Sequence, residues 1–450
     1  MAWVLTILML LSAFGCSLFT PAETPPNGET PGNETPGKDP EPGTDPGVDP
    51  EISEPTDNDL TASVTPVPPG STAAINYAVI RQGDLWLGID GTRLWRQTAS
   101  GDVDQVVWAP DGHALAFFTT PSLDAYTRDL YTLIPGGVPV LVDRDVVASF
   151  SWPDPQGFLW SPDSSRLAYG LADSLEIVIA GPGSARSSFS IDIYPEAGPF
   201  WLGPNRLVLG SVSPVPLLLI VDTLGTEVAT VLDTALPYPI ADGLLAAAGE
   251  YGDTEDFFFT GLVHLDDDGA NASLVHRGNI YMCFLAWNPQ EENRTGTKYF
   301  ALSDGETLFL QNYAAEAGPR VELLTQDLFL TFSEFAYPFW FAWAPDGDSL
   351  AALPFTFSQE GDYGEQKGSW DLVQVDREGR AKVLLADLYT VQEYETPIPF
   401  WTQPIKWSPD GAKINYLVDG VEGVDLWQLN LADKTVSLFL LSSELPEYRP

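Results

Sequence analysis

The 450-residue chain sets 63 Asp and Glu against 21 Lys and Arg, a formal net charge of −42. So negative a surface repels phosphate backbones and anionic headgroups, which excludes nucleic acid as a partner and a polybasic clamp on membranes. Charged residues are only 19% of the chain and hydrophobic ones 44%, with 14 Trp, so the acidity reflects missing bases, and apolar surface remains for a large core.

Trp3 to Leu11 form an apolar run too short to cross a bilayer as a settled helix, and it ends in the small residues of Ala13-Phe14-Gly15-Cys16. This is the layout of a secretory signal over residues 1–15. The Cys directly after Gly15 resembles the lipobox of bacterial lipoproteins. That resemblance implies cleavage on the amino side of Cys16, acylation of Cys16, and an extracytoplasmic chain anchored to the membrane or cell surface. An ordinary cleaved signal with an incidental Cys16 is the alternative.

Residues 16–71 read as a tether. Pro25 to Gly37 repeat Pro, Gly, Glu and Thr with almost nothing apolar, so no core offsets the entropy of ordering them. A Pro-rich spacer reaches about 3 Å per residue, which puts the following domain on the order of 100 Å from an anchor.

From residue 72 to the end the chain repeats. Trp108-Ala109-Pro110-Asp111-Gly112, Trp160-Ser161-Pro162-Asp163-Ser164, Trp343-Ala344-Pro345-Asp346-Gly347 and Trp407-Ser408-Pro409-Asp410-Gly411 share one pattern. Weaker copies begin at Trp201 and Trp287, and Ile240-Ala241-Asp242-Gly243 keeps the Asp-Gly without a Trp. The interval is about forty to sixty residues, the spacing of propeller blades. Pro fixes the first central position of a turn, Asp bonds back to its own backbone and Gly takes the crowded last position, so each motif predicts a hairpin. The strands that follow, such as Ala114 to Phe118 and Ile414 to Val418, are apolar on both faces, which requires sheets packed face to face. Third strands end in Asp222 and Asp376 before a turn, and fourth strands follow at Pro139 to Val142, Lys382 to Leu385 and Val436 to Leu440.

These residues resemble the WD40-like (PD40) repeat of the TolB-type β-propeller family, over roughly residues 72–441. The resemblance implies an all-β propeller of four-stranded antiparallel blades and says little of function. Seven motif positions are visible, and Asn76 to Ile80, Asp84 to Ile89 and Arg93 to Arg96 read as three strands of a further unit. The expectation is eight blades, with seven as the alternative, closed by a meeting of the first and last units.

Chemistry-bearing residues are few. His113, His264 and His276 fall at different points of the repeat without the i, i+4 spacing of a zinc pair, and His113 follows a turn Gly. Cys283 lies in the apolar run Ile280 to Leu285, the setting of an inert buried thiol, and with only 2 Cys the chain has no disulfide framework. Asp266-Asp267-Asp268-Gly269-Ala270-Asn271 offers oxygen ligands for calcium but sits where the repeat needs a turn, and the turn is the first reading. No cofactor and no catalytic residue is expected. Longer insertions at residues 358–368 and 290–296 are expected to form an acidic rim.

The function expected from the sequence is an exported, lipid-anchored binding or scaffolding module at the cell envelope, taking an unknown protein or peptide ligand of cationic character. The alternative is an extracellular carbohydrate-active hydrolase or lyase working in the central funnel, and adaptation to high external salt is a further account of the acidity.

Overall fold

Each motif closes a hairpin in the computed structural model. Trp108 ends the strand Val103–Trp108 and faces Leu115, the first residue of the strand Leu115–Thr119. Between them the Gly112 amide donates to the Ala109 carbonyl at 2.8 Å, and the Ala109 amide donates to the Ala114 carbonyl at 2.9 Å. The Asp111 carboxylate accepts the His113 amide at 2.9 Å. The same closing bond runs from Ser164 to Ser161, from Gly347 to Ala344 and from Gly411 to Ser408. Ser164, which stands where the other copies have Gly, takes a φ of 61°, a left-handed conformation that costs a side chain about 1 kcal/mol.

The chain divides into two units, Met1–Thr61 and Ala62–Pro450. The structure describes residues 64–450 of the second, apart from 66, 69, 121–126, 148–158, 172–173, 182–185, 194–196, 212–214, 241–242, 252–256, 278–284, 288–298, 304–306, 313–320, 326–339, 360–365, 393–402, 421–422 and 442. The signal segment, Cys16 and nearly all of the tether lie outside the described residues, as do Cys283 and the insertion at 290–296.

The described strands pair antiparallel throughout, in sequence order, as sheets of four. Two sheets depart from that number. A seven-stranded sheet contains both the Trp108 and the Trp160 motifs, joined where Val146 and Val147 pair with Leu171 and Gly170. A five-stranded sheet holds an extra strand, Phe355–Gln359, which pairs with Gln366–Asp376 from Phe355↔Trp370 to Gln359↔Gln366. The sequence reads 358–368 as a loop insertion, whereas its two ends continue the sheet. Phe355 and Phe357 stand two apart in the sequence, the spacing of one strand face, and across the pair the Phe355 and Trp370 rings meet at 4.7 Å.

The apolar second strands lie between two cores at once. Leu115 and Phe117 pack with Ala78, Ile80, Leu85 and Leu87 of the preceding unit. Their alternates Ala116 and Phe118 pack with Trp160, Leu167 and Tyr169 of the next. A side chain on a strand points to the opposite face from its neighbour, so a strand between two sheets must be apolar at every position. The pattern recurs around the array: Leu207 and Leu209 face Ile177 and Ile179, Val208 faces Leu244 and Ala246, and Leu350 and Ala352 face Leu308 and Leu310. The last of these cores joins the two ends of the array, with Tyr77, Val79 and Trp86 against Leu417, Leu426 and Leu440. The architecture is a closed β-propeller.

Residues before 72 also belong to this body. The Thr65 amide donates to the Arg96 carbonyl at 3.0 Å and Val67 is buried in the core between the first two units, so the segment covers the outer edge of the strand Arg93–Arg96.

Candidate functional site

The motif tryptophans form a ladder from unit to unit. Trp160 Nε1 reaches the carbonyl of Val107 at 3.4 Å, Trp201 that of Leu159 at 3.2 Å and Trp407 that of Ala342 at 3.0 Å. In each case the acceptor is the residue directly before the preceding motif's Trp. An indole N–H removed from water needs a partner, and here the neighbouring sheet supplies it, which fixes how far one sheet is turned against the next. Trp108, Pro110, Asp111 and Gly112, Trp160, Pro162 and Asp163, Trp343, Pro345, Asp346 and Gly347, and Trp407, Pro409, Asp410 and Gly411 all lie in these hairpins.

Trp108 has no motif before it, and its Nε1 instead donates to the carbonyl of Glu447 at 2.9 Å. Glu447–Tyr448 is a short strand paired with the first unit, Tyr448 facing Tyr77 and Glu447 facing Ala78. The Arg449 amide donates to the Asn76 carbonyl at 2.8 Å, as the Ala109 amide does to Ala114. Tyr448-Arg449-Pro450 therefore occupies the place of Trp-Ala-Pro in the unit that lacks a motif. Sequence reading missed this because Tyr stands for Trp and the turn residues that would follow are not contiguous with it; Tyr-x-Pro preceded by an alternating strand was the available signal. The Arg449 guanidinium donates to the carbonyls of Gly112 at 2.6 Å, Thr72 at 3.1 Å and Ile75 at 3.2 Å, and it lies over the Trp108 ring at 5.6 Å.

The two ends of the sheets differ. The motif hairpins share their end with the turns between third and fourth strands, such as Asp222 to Thr226 and Asp376 to Arg380, where the Asp carboxylate accepts two amides. Described connections at the opposite end differ in length, from the single residue Asp233 between two strands to the paired excursion that begins at Phe355 and returns at Trp370. The described ends of the second insertion, residues 358–359 and 366–368, pair within the sheet between a second strand and a third; residues 290–296 lie outside the described residues.

At the variable end, three carboxylates gather where the closing segment meets the second unit. Asp104 sits at a break in register between Val103 and Gln105. Its Oδ2 accepts the Thr120 hydroxyl and the Arg128 guanidinium, the latter at 2.9 Å. Burial raises its pKa even though Arg128 opposes the shift. Oδ1 of Asp104 and Oδ1 of Asp102 are buried with no hydrogen-bond partner among the described residues. Glu444 is solvent-exposed, and the protein packed around it, with the charge of Asp104 second, shifts its carboxyl upward. Lys406 and Glu447 form an ion pair nearby on the innermost strands.

The other sequence candidates are scattered. His113 is exposed at its turn, His264 is half-buried on the strand Phe257–Leu265, and His276 is buried on Ser273–Arg277 with its ring 6.4 Å from Phe309. The run from Asp266 to Asn271 is a turn: the Gly269 amide donates to the Asp266 carbonyl at 2.9 Å, Asn271 Nδ2 to the Asp266 carboxylate at 2.6 Å, and Arg206 Nη1 pairs with the Asp267 carboxylate at 3.1 Å. Among the described residues no group of three or more His, Cys, Asp or Glu is placed to hold a metal ion, and no helix is long and apolar enough to cross a membrane.

No family model and no curated protein matches the chain. Solved structures similar to it include TolB from Acinetobacter baumannii, at 11% identity over 85% of this chain and 68% of that one with a TM-score of 0.37. A putative 6-phosphogluconolactonase from Bacteroides uniformis matches at 10% identity over 83% and 99%, with a TM-score of 0.41. Puromycin hydrolase matches at 14% identity over 78% and 55%, with a TM-score of 0.44. Likenesses of this size carry no argument about activity, and the architecture rests on the strand pairing above.

Proposed function

We propose that the chain is an exported, acidic propeller of eight blades, anchored through lipidated Cys16 and serving as a binding or scaffolding module at the cell envelope. The count of eight follows from assigning the seven-stranded sheet to two motif-bearing units, each with its own inter-sheet core. The observation that carries the binding role is the asymmetry of the two ends. Among the described residues one end carries short hydrogen-bonded turns and the other carries connections of different length on a rigid frame, the arrangement in which loops bind partners. With a net charge of −42, that end suits a cationic peptide or a basic face of a protein, whose encounter the field accelerates.

The test is capture of defined peptides by the full chain. Lys- and Arg-rich peptides are expected to bind with an affinity that falls steeply between 50 and 500 mM salt, roughly as screening shortens the Debye length. Replacing residues 360–365 by a two-residue turn should weaken that capture. Equal binding of acidic and basic peptides, or turnover of a polysaccharide without stable capture, would overturn the reading in favour of non-specific association or of an enzyme. The anchor is tested separately, by the mass of the mature amino terminus, where a diacylglycerol-sized adduct on Cys16 is expected.

A further inference from the structure

Three turns between third and fourth strands are built alike, and a fourth departs from them. The Gly225, Gly269 and Gly379 amides close their turns on the carbonyls of Asp222, Asp266 and Asp376, and the carboxylates of Asp222 and Asp376 each accept two further amides of the turn. In the unit of Trp108 the Gly137 amide closes the matching turn on the carbonyl of Ile134 at 2.8 Å. An aliphatic side chain thus stands where the others place a carboxylate, and the turn gives up those capping bonds. Ile134 is 61% exposed, and Val138, four residues on, is 76% exposed.

The departure continues along the chain. Ile134 to Leu141 reads Ile-Pro-Gly-Gly-Val-Pro-Val-Leu, a run without a charge in a chain of net charge −42, and Val140 and Leu141 are exposed with the first two. Leu224 and Val228, exposed on another turn and the strand after it, have Asp222 and Glu227 among them. Val140 and Leu141 begin the outer strand Val140–Val147, which pairs with Arg128–Leu133 on one side; on the other, among the described residues, only Val146 and Val147 are paired. The outer strand of the preceding unit is covered by the chain itself at Thr65, so an open edge lies next to a covered one. Charges beside the run are answered locally. Asp129 meets Arg144 at 4.0 Å, Asp143 meets Arg186 at 3.2 Å and Asp90 of the preceding unit meets Arg93 at 2.6 Å, while Asp145 accepts the Thr127 hydroxyl at 3.4 Å.

We propose that Ile134–Leu141 and the strand edge that follows form a self-association face, through which two copies of this chain meet about a twofold axis. Exposed aliphatic surface rimmed by polar groups marks an interaction site, and an open strand edge laid antiparallel to its own copy pairs the main-chain groups of both at once. Charge and the edge decide the occupant. Two molecules of net charge −42 repel in most orientations, but here arginines already answer the flanking carboxylates, so like can meet like. A bilayer would leave the amides and carbonyls of the edge without partners, and a basic partner finds no excess of carboxylates in this sector. The same net charge sets the salt dependence: screening the long-range repulsion tightens the pair, opposite in sign to the capture of a cationic peptide. The two readings therefore stand or fall separately.

Sedimentation equilibrium of the full chain, loaded from about 1 to about 100 μM, reads the association. The mean mass is expected to rise from 49.0 kDa toward twice that value, with a dissociation constant roughly tenfold lower at about 500 mM salt than at about 50 mM. Ile134→Asp restores the carboxylate of the matching turns, so its urea midpoint should equal or exceed that of the parent, and it should keep the single mass throughout. Val138→Thr, which supplies the residue found at the matching place after Asp222, should weaken the pair roughly tenfold; should Ile134→Asp not fold, this variant carries the test. Leu224→Asp, the same change at an aliphatic exposed on another turn, should leave the association unchanged. A parent chain that keeps the single mass at every loading and salt overturns the proposal, as does association that survives Ile134→Asp or is lost equally in Leu224→Asp. Single-mass protein that cosediments with phosphatidylcholine vesicles, and ceases to in Ile134→Asp, would overturn it in favour of a membrane.

Discussion

Trp108 and Glu447, far apart in the chain, are joined by an indole-to-carbonyl hydrogen bond of 2.9 Å that takes the place of a bond made elsewhere between consecutive motifs. The seam is thus built to the same plan as the boundaries at Trp160, Trp201 and Trp407, with the missing half of the motif supplied from the far end of the chain. Arg449 adds a charged group that donates to three carbonyls of the seam.

Arg449→Ala should destabilise the propeller by about 2 to 3 kcal/mol, combining charge-assisted hydrogen bonds with the stacking on Trp108. Arg449→Lys should recover less than half of that, because an ammonium cannot span three carbonyls in one plane. Urea unfolding midpoints at constant slope read the effect, and a change under about 0.5 kcal/mol for Ala would show that water replaces the clasp without cost.

Trp407→Phe isolates one rung of the ladder. Phe retains most of the apolar contact with Trp340 and Ala344 but leaves the Ala342 carbonyl without its donor at 3.0 Å. A loss of about 1 to 3 kcal/mol is expected from the unsatisfied acceptor and the lost ring. Trp407→Leu should cost more, and equal losses for the two would mean that packing alone, and not the indole N–H, sets the boundary.

The hairpins, the doubly apolar strands and the three motif-free strands at Tyr77–Arg81, Asp84–Asp90 and Arg93–Arg96 were legible because local rules make them: turn residues at fixed offsets and a strand squeezed between two cores. The role of Tyr448-Arg449-Pro450 was not, since nothing local distinguishes it from a tail; its partners Tyr77, Asn76 and Gly112 are distant in sequence. The carboxylate seam was equally hidden. Among 63 acidic residues, nothing local singles out Asp102 and Asp104, whose buried oxygens show only in the folded chain. The strand at Phe355–Gln359 was masked by its Gly- and Glu-rich continuation, which reads as loop.

The motif carboxylates predict an acid limb in the stability curve. Asp163 accepts the Ser161 hydroxyl at 2.6 Å and the Ser165 hydroxyl and amide at 2.7 and 3.1 Å, and these bonds, the first above all, hold its pKa down to about 2. A carboxyl more acidic when folded gives stability that is complete above its ordinary 3.8 and is lost as pH falls toward 2. Asp163→Asn should cost less than about 1 kcal/mol at pH 7, the group being solvated. The gap between parent and variant should close between pH 4 and pH 2. A gap of constant size over that range would show that the turn, and not the charge, accounts for the loss.

Removing the chain from Pro399 onward tests closure most directly. It strips the blade that carries Trp407 and the closing segment, baring Trp340, Trp370 and Tyr389 on one side and Tyr77, Val79 and Trp86 on the other. Blades that each share both faces with neighbours unfold as a unit only while the ring is complete, so calorimetry should lose its single sharp transition. The milder removal of residues 443–450 leaves the strands of the last blade in place but takes Leu445 and Tyr448 from the closing core and the acceptor from Trp108; it should lower the midpoint while keeping one transition. A Pro399 truncation that melts sharply at the parent temperature would show that the blades are stable as an open stack, and the seam would then lose its part in holding the fold together.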